Sequence, residues 1–193
     1  MELRPIQFKP YKWLDDAAIF NKRDQRVPID WIKENANSIA LLFTAKGIDK
    51  DEIITKFYEM YENVKFVNLP LEVIYIPMDE SEEDMIGSYD QQANWFTLKF
   101  HDPLVHILKF MYGVTCIPNI LVIDPSCNII SYTGVSDLER HGKNAIITWM
   151  TDTKSKLRKF NKETEMYGEK WNYLDRGERR ESKVDYQRKF STA

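Results

Sequence analysis

The sequence predicts an α/β fold, a central mixed sheet flanked by helices. Three observations carry that reading. Apolar runs of strand length occur at residues 39–43 and 119–123. Between them lie stretches whose apolar residues repeat at helical spacing. The second apolar run starts directly after a proline, in Gly113-Val114-Thr115-Cys116-Ile117-Pro118, and leaves through an Asp124-Pro125 turn.

Taken in order, Ile39, Ala40, Leu41, Leu42 and Phe43 are uniformly apolar, as a central strand buried on both faces must be. Ile53, Phe57, Met60, Tyr61 and Val64 then form one stripe of a helix. Residues 72–77, with Val73, Ile74, Tyr75 and Ile76 inside, read as the next strand. Ser81 followed by Glu82, Glu83 and Asp84 is a capped helix start, with carboxylates near the positive end of the helix dipole. Asp102-Pro103 is a further start, a cap and then a proline in the first turn, with Leu104, Leu108 and Met111 as the buried face. Strands at 119–123 and 129–132 follow, joined by the hairpin loop Asp124-Pro125-Ser126-Cys127-Asn128. A last helix holds Ala145, Ile146 and Trp149. The order is β-α-β-α-β-(α)-β-β-α, its parallel strands joined by right-handed crossovers.

Composition bounds the function. A chain of 193 residues, 43% hydrophobic and 13% aromatic, can bury one sizeable core with some chain left over. A net charge of −3 gives no case for nucleic acid. No apolar run approaches a membrane span. The start, Met1-Glu2-Leu3-Arg4-Pro5, lacks the apolar stretch of a secretory signal. Two cysteines are too few for a disulfide scaffold, so a reducing compartment is expected and the localisation read as cytoplasmic. From Met150 to Ala193 there are 12 Lys/Arg against 8 Asp/Glu, a balance of +4 that leaves −7 for the rest. The tail is also poor in glycine and carries Phe160, Tyr167, Trp171, Tyr173, Tyr186 and Phe190. The expected division is an N-terminal segment over 1–17, a domain over 18–150 and a basic, partly helical C-terminal extension over 151–193.

Several motifs point to one family. Ile74-Tyr75-Ile76-Pro77-Met78-Asp79-Glu80-Ser81-Glu82-Glu83 resembles the strand and acidic helix start of tryparedoxins and nucleoredoxins. Asn94-Trp95-Phe96-Thr97-Leu98-Lys99-Phe100 resembles their Pro-Trp-x-x-x-Pro-Phe run. Tyr112 to Pro118 resembles their Phe-Gly-Val-x-x-Ile-Pro. Arg26-Val27-Pro28-Ile29 and Phe57-Tyr58-Glu59 fit weaker positions, and together the motifs span roughly residues 18–150. The resemblance implies a thioredoxin fold. It also implies that the Ile117–Pro118 bond is cis and lies against the start of the first long helix, and that Thr115, Cys116, Ile117 and Pro118 border a groove for peptide substrates.

The departure falls where that family does its chemistry. The family reads Phe-Ser-Ala-Ser-Trp-Cys-Pro-Pro-Cys after its strand. Here Phe43-Thr44-Ala45-Lys46-Gly47-Ile48-Asp49 stands instead, a shorter loop with neither the Trp nor either Cys. Dithiol exchange needs a nucleophilic thiolate and a resolving thiol within reach. Neither is present, so no dithiol oxidoreductase site and no catalytic residue is expected.

Asp49 is placed to cap the helix, with Asp49-x-x-Glu52 close to a capping box. The degenerate loop Lys46, Gly47, Ile48 and Asp49 reads as structural and solvated or, alternatively, as a binding loop. Cys116, on the groove rim, has two readings. It is a small side chain filling a rim position, or a reactive thiol that forms mixed disulfides, a glutathione adduct or a homodimer. Cys127 falls in a hairpin turn expected to be exposed. His101, His106 and His141 form no zinc spacing, and no metal or cofactor is expected. The acidic run Glu80 to Asp84 reads as a solvated helix start. Two functions stand as alternatives: a redox-inactive module binding protein or peptide beside Pro118, and a monothiol redox protein using Cys116.

Overall fold

The computed structural model describes residues 11–151. Its centre is β1 (Ser38–Thr44), buried at every position. It pairs in parallel with β2 (Leu71–Pro77), Ser38 opposite Leu71 and Thr44 opposite Pro77. Along its other edge it pairs antiparallel with β4 (Asn119–Ile123), Ile39 opposite Ile123 and Phe43 opposite Asn119. The two-residue β3 (Phe96–Thr97) extends the sheet in parallel beyond β2, and β5 (Ile129–Ser131) adds an antiparallel edge to β4. The result is a mixed five-stranded sheet in the order β3-β2-β1-β4-β5.

Helices cover both faces because neighbouring strand residues point to opposite sides. Ala40, Leu42, Val73, Tyr75, Ile120 and Val122 face α2 (Ile53–Phe66), α3 (Glu82–Gln91), α5 (Gly134–His141) and α6 (Lys143–Thr151). Ile39, Leu41, Phe43, Ile74, Ile76, Leu121 and Ile123 face α1 (Ile29–Asn35), α4 (Leu104–Met111) and a 3₁₀ turn at Trp13–Asp16. Trp95 anchors the first layer, its ring 5.6 Å from that of Phe57 and 5.5 Å from that of Tyr61.

The helix ends follow local chemistry. Ser81 accepts from the Asp84 amide at the start of α3. The Asp102 carboxylate accepts from the Leu104 amide at 2.8 Å, so the Asp102-Pro103 start operates with the cap one residue before the proline. At the other end of α3, the Lys22 ammonium donates to the carbonyls of Tyr89 and Gln92, which suits the negative end of the helix dipole. Burial there lowers the Lys22 ammonium to about 8, with Asp90 partly opposing it.

Several features depart from the sequence reading. Two helices, α1 and α5, were not expected, and the third strand of the expected order, given no residue range, is the two-residue β3. The hairpin strand ends at Ser131, and Met111 is exposed rather than part of the buried face of α4. Trp13 and Leu14 fall in the expected N-terminal segment, yet both are buried in the layer shared with α1 and α4. The basic extension over 151–193 lies outside the described residues, apart from Thr151.

Gly134 shows how closely α5 approaches the sheet. A Cβ there would stand 2.6 Å from the Ile120 carbonyl oxygen and 2.6 Å from its Cγ2. The backbone atom cannot swing aside. Gly134→Ala is therefore expected to destabilise the domain by about 1–3 kcal/mol, the range for overpacking, measured by urea unfolding. An unchanged midpoint would show that α5 moves away freely.

Candidate functional site

The β1–α2 connection forms one wall of the site. Gly47 holds φ at +74°, a left-handed conformation that favours glycine. The Ile48 amide donates to the Ala45 carbonyl at 3.1 Å, and the Thr44 hydroxyl donates to the Ile48 carbonyl at 3.1 Å. The loop is also tied to the segment after β2. Asp79 accepts from the Lys46 amide at 2.7 Å, and the Lys46 ammonium meets Asp84 at 2.8 Å. These partners stand 33 and 38 positions away in sequence. The acidic run is thus more than a solvated helix start, because Asp84 holds the degenerate loop.

That pair titrates in both directions. The Lys46 hydrogen bond, then Ser81 and the ammonium charge, hold the Asp84 carboxyl below its ordinary range. The Asp84 hydrogen bond and charge raise Lys46 in turn. The contribution of Asp84 is present above its unfolded value near 3.9 and is lost as pH falls through the lower folded one. That of Lys46 is present below about 10.4 and is lost as pH rises through the higher folded one. Both groups are exposed, so the latch contributes little to global stability.

The expected capping box does not form. A 3₁₀ turn at Lys50–Glu52 intervenes, with Asp51 and Glu52 both in left-handed conformations, φ +57° and +56°. Glu52 occupies the cap position of α2 and makes no side-chain cap bond. Asp49 reaches across the turn instead. Its carboxylate accepts from the Ile54 amide at 2.6 Å, the Thr55 amide at 3.2 Å and the Thr55 hydroxyl at 2.7 Å. A carboxylate thus covers the first-turn donors of the long helix.

The other wall is the segment before β4. Phe43 pairs with Asn119, so Pro118 arrives beside the end of β1 and the start of the degenerate loop. The Ile117–Pro118 bond is cis. Thr115 and Cys116 are exposed; Ile117 and Pro118 are half-buried. Among the described residues, the N–H groups of Thr115, Cys116 and Ile117 donate to no backbone carbonyl. Behind them, the Trp13 indole donates to the Tyr112 hydroxyl at 2.8 Å, and burial pushes the Tyr112 phenol up to about 12.

Cys127 corrects the sequence reading. It sits in the turn after β4 at φ +65°, but only 7% of it is exposed, and burial raises its thiol. The 3₁₀ turn carrying Trp13 and Leu14 belongs to the same buried cluster and covers the hairpin loop. His101 stacks edge-on against Phe100 at 4.8 Å and lies before α4, while His106 is exposed on that helix and His141 ends α5. Among the described residues no three His, Cys, Asp or Glu side chains gather as a metal site, and no helix is long and apolar enough to cross a membrane.

This mixed sheet in the order β3-β2-β1-β4-β5, flanked by helices, defines a thioredoxin fold. Residues 37–129 match the family model described as thioredoxin-like. Nucleoredoxin-like protein 1 of Xenopus laevis is 25% identical, the match covering 71% of this chain and 69% of that protein. Thioredoxin from Wuchereria bancrofti superposes with a TM-score of 0.60 at 22% identity, covering 72% of this chain and 98% of the other. Tryparedoxin from Trypanosoma brucei gives 0.60 at 22%, covering 70% and 92%. At that identity the solved structures speak for the fold alone.

If Asp49 secures the start of α2, Asp49→Ala will cost about 0.5–2 kcal/mol, as lost helix caps do. Lys46→Ala, which removes an exposed and solvent-screened pair, will lower stability less than Asp49→Ala does. Urea midpoints of the two variants test the ranking, and the reverse order would shift the structural role to the latch.

Proposed function

We propose that this chain is a redox-inactive thioredoxin-fold protein that binds an extended protein or peptide segment in the groove beside Pro118. The observation that carries the proposal is chemical. The chain's two cysteines are Cys116 and Cys127, and the loop from Thr44 to Asp49 holds neither. The helix terminus where the family resemblance puts the nucleophile is covered by the Asp49 carboxylate. No thiolate can be stabilised by donors already given to a carboxylate.

Binding is the reading the remaining surface supports. An exposed backbone strip at Thr115, Cys116 and Ile117 can pair with an extended chain as a sheet edge does. Lys46, Gly47, Ile48 and Asp49 flank it, and Ile48 is 39% exposed. The partner is a protein or peptide rather than nucleic acid, and free thiols accord with a reducing compartment such as the cytoplasm.

Two measurements test this. With dithiothreitol or thioredoxin reductase as reductant, disulfide turnover should not exceed the reagent-only rate. Titration with extended capped peptides should shift the amides of Thr115, Cys116 and Ile117, and Ile117→Asp should abolish those shifts. Turnover that disappears in Cys116→Ser would overturn the reading.

A second reading rests on the exposure of Cys116. In it the protein acts as a monothiol, through mixed disulfides or a homodimer. Hydrogen peroxide would take two electrons from a pair of Cys116 thiols, join them as a disulfide and leave as water. Peptide mass spectrometry without reduction should then show Cys116 joined to Cys116 in the folded protein and no adduct on buried Cys127. No adduct at Cys116 would leave it a packing residue.

A further inference from the structure

The β1–α2 loop has a second side. A cleft of about 490 Å³ lies between the first two turns of α2 and the last turn of α3, within the roughly 300–1,000 Å³ typical of small-ligand sites. Ala45, Ile48 and Ile54 give it apolar surface, and Tyr58, Glu59 and Gln91 add polar groups. None of residues 113–118 lines it, so an occupant of the cleft has no need of the groove beside Pro118.

The charge of the cleft is one-sided. Among the described residues that line it there is no lysine or arginine, whereas two carboxylates, Asp49 and Glu59, are present. Lys46, one of two lysines in the β1–α2 connection, is held by Asp84. The two carboxylates differ in what they have left to offer. Asp49 accepts from the first turn of α2 and so offsets the positive helix end, which would otherwise favour an anion. Glu59 is exposed and, among the described residues, has neither a hydrogen bond nor an ion pair. The same holds for the Tyr58 hydroxyl and the Gln91 amide.

A bare acidic patch would hold any cation equally. Apolar surface beside a single unengaged carboxylate selects a cation on an aliphatic stem. Lysine and arginine lay such stems along apolar surface while keeping the charged head at the rim, and the exposed Tyr58 lines the same cleft, an aromatic ring to which a cation is attracted. We propose that this cleft binds a lysine or arginine side chain of an extended peptide. The stem rests on Ala45, Ile48 and Ile54, the charge meets Glu59, and Gln91 pairs with the flanking peptide group.

The test uses the full chain, labelled with ¹⁵N, and three capped tripeptides: Ala–Lys–Ala, Ala–norleucine–Ala and Ala–Glu–Ala. The lysine peptide should give saturable shifts at Ile48, Ile54, Thr55, Tyr58 and Gln91, and the other two should give far weaker ones. Glu59→Gln should weaken the lysine peptide about two- to fivefold, the range of an exposed ion pair. Gln91→Ala should weaken it independently, and both variants should keep the remaining spectrum unchanged. Equal binding of the norleucine peptide, or undiminished binding to Glu59→Gln, would overturn the proposal. So would shifts confined to residues 81–84 or to Thr115, Cys116 and Ile117. The last of these outcomes would leave the Pro118 groove standing while removing the cleft.

Discussion

Strand β1 is hydrogen-bonded along both edges and buried on both faces, and the placement of every candidate residue derives from that constraint. Its parallel pairing brings Thr44 level with Pro77, so the loops leaving β1 and β2 emerge side by side. Its antiparallel pairing sets Phe43 against Asn119 and delivers Pro118 to the same end. Segments far apart in the chain therefore converge on one edge, with no contact of their own needed to bring them there. A one-residue slip in β1 would turn its alternate side chains to the wrong layers, so the register is held by the whole core.

What gathers at that edge is held by polar contacts between the loops. The positive end of a helix is an arrangement suited to lowering a thiol pKa. Here the same donors serve an internal carboxylate, and the loop is held down by Asp79 and Asp84. On the function proposed above, the edge then serves as a preformed surface. Fold alone does not decide between such outcomes; the side chains at the site do.

Much of this was legible in the sequence. The strands at 39–43 and 119–123 are apolar at every or nearly every position because both sheet faces are covered, which gives an unbroken signal. Ser81 and Asp102 announced their helices through cap chemistry that acts over two or three residues. What escaped reading depends on distance or on shortness. β3 is two residues long and has no periodicity to detect. α5 begins at a glycine, a residue usually associated with helix ends. Cys127 occupies a turn, and nothing near it signals that Trp13 and Leu14, more than a hundred positions earlier, cover the loop. Lys46 and Asp84 likewise meet only through the fold. Tyr58 and Gln91 lie on separate helices, and no local pattern links them.

Helix α2 is held at both ends. Its first turn is fixed by Asp49. Its last turn is fixed by Lys65, whose ammonium meets the buried carboxylate of Glu72, where the Tyr61 hydroxyl also donates at 3.2 Å. A helix clamped to the loop before it and the strand after it is a strut, unable to slide or tilt without breaking a charged contact. Removing one partner of the buried pair would leave an uncompensated charge. On the proposals above, a ligand on either side of this loop would meet a wall held by charged contacts at both ends. The affinity of such a ligand would depend on how well it fits the surface already there, with little conformational work done on the protein.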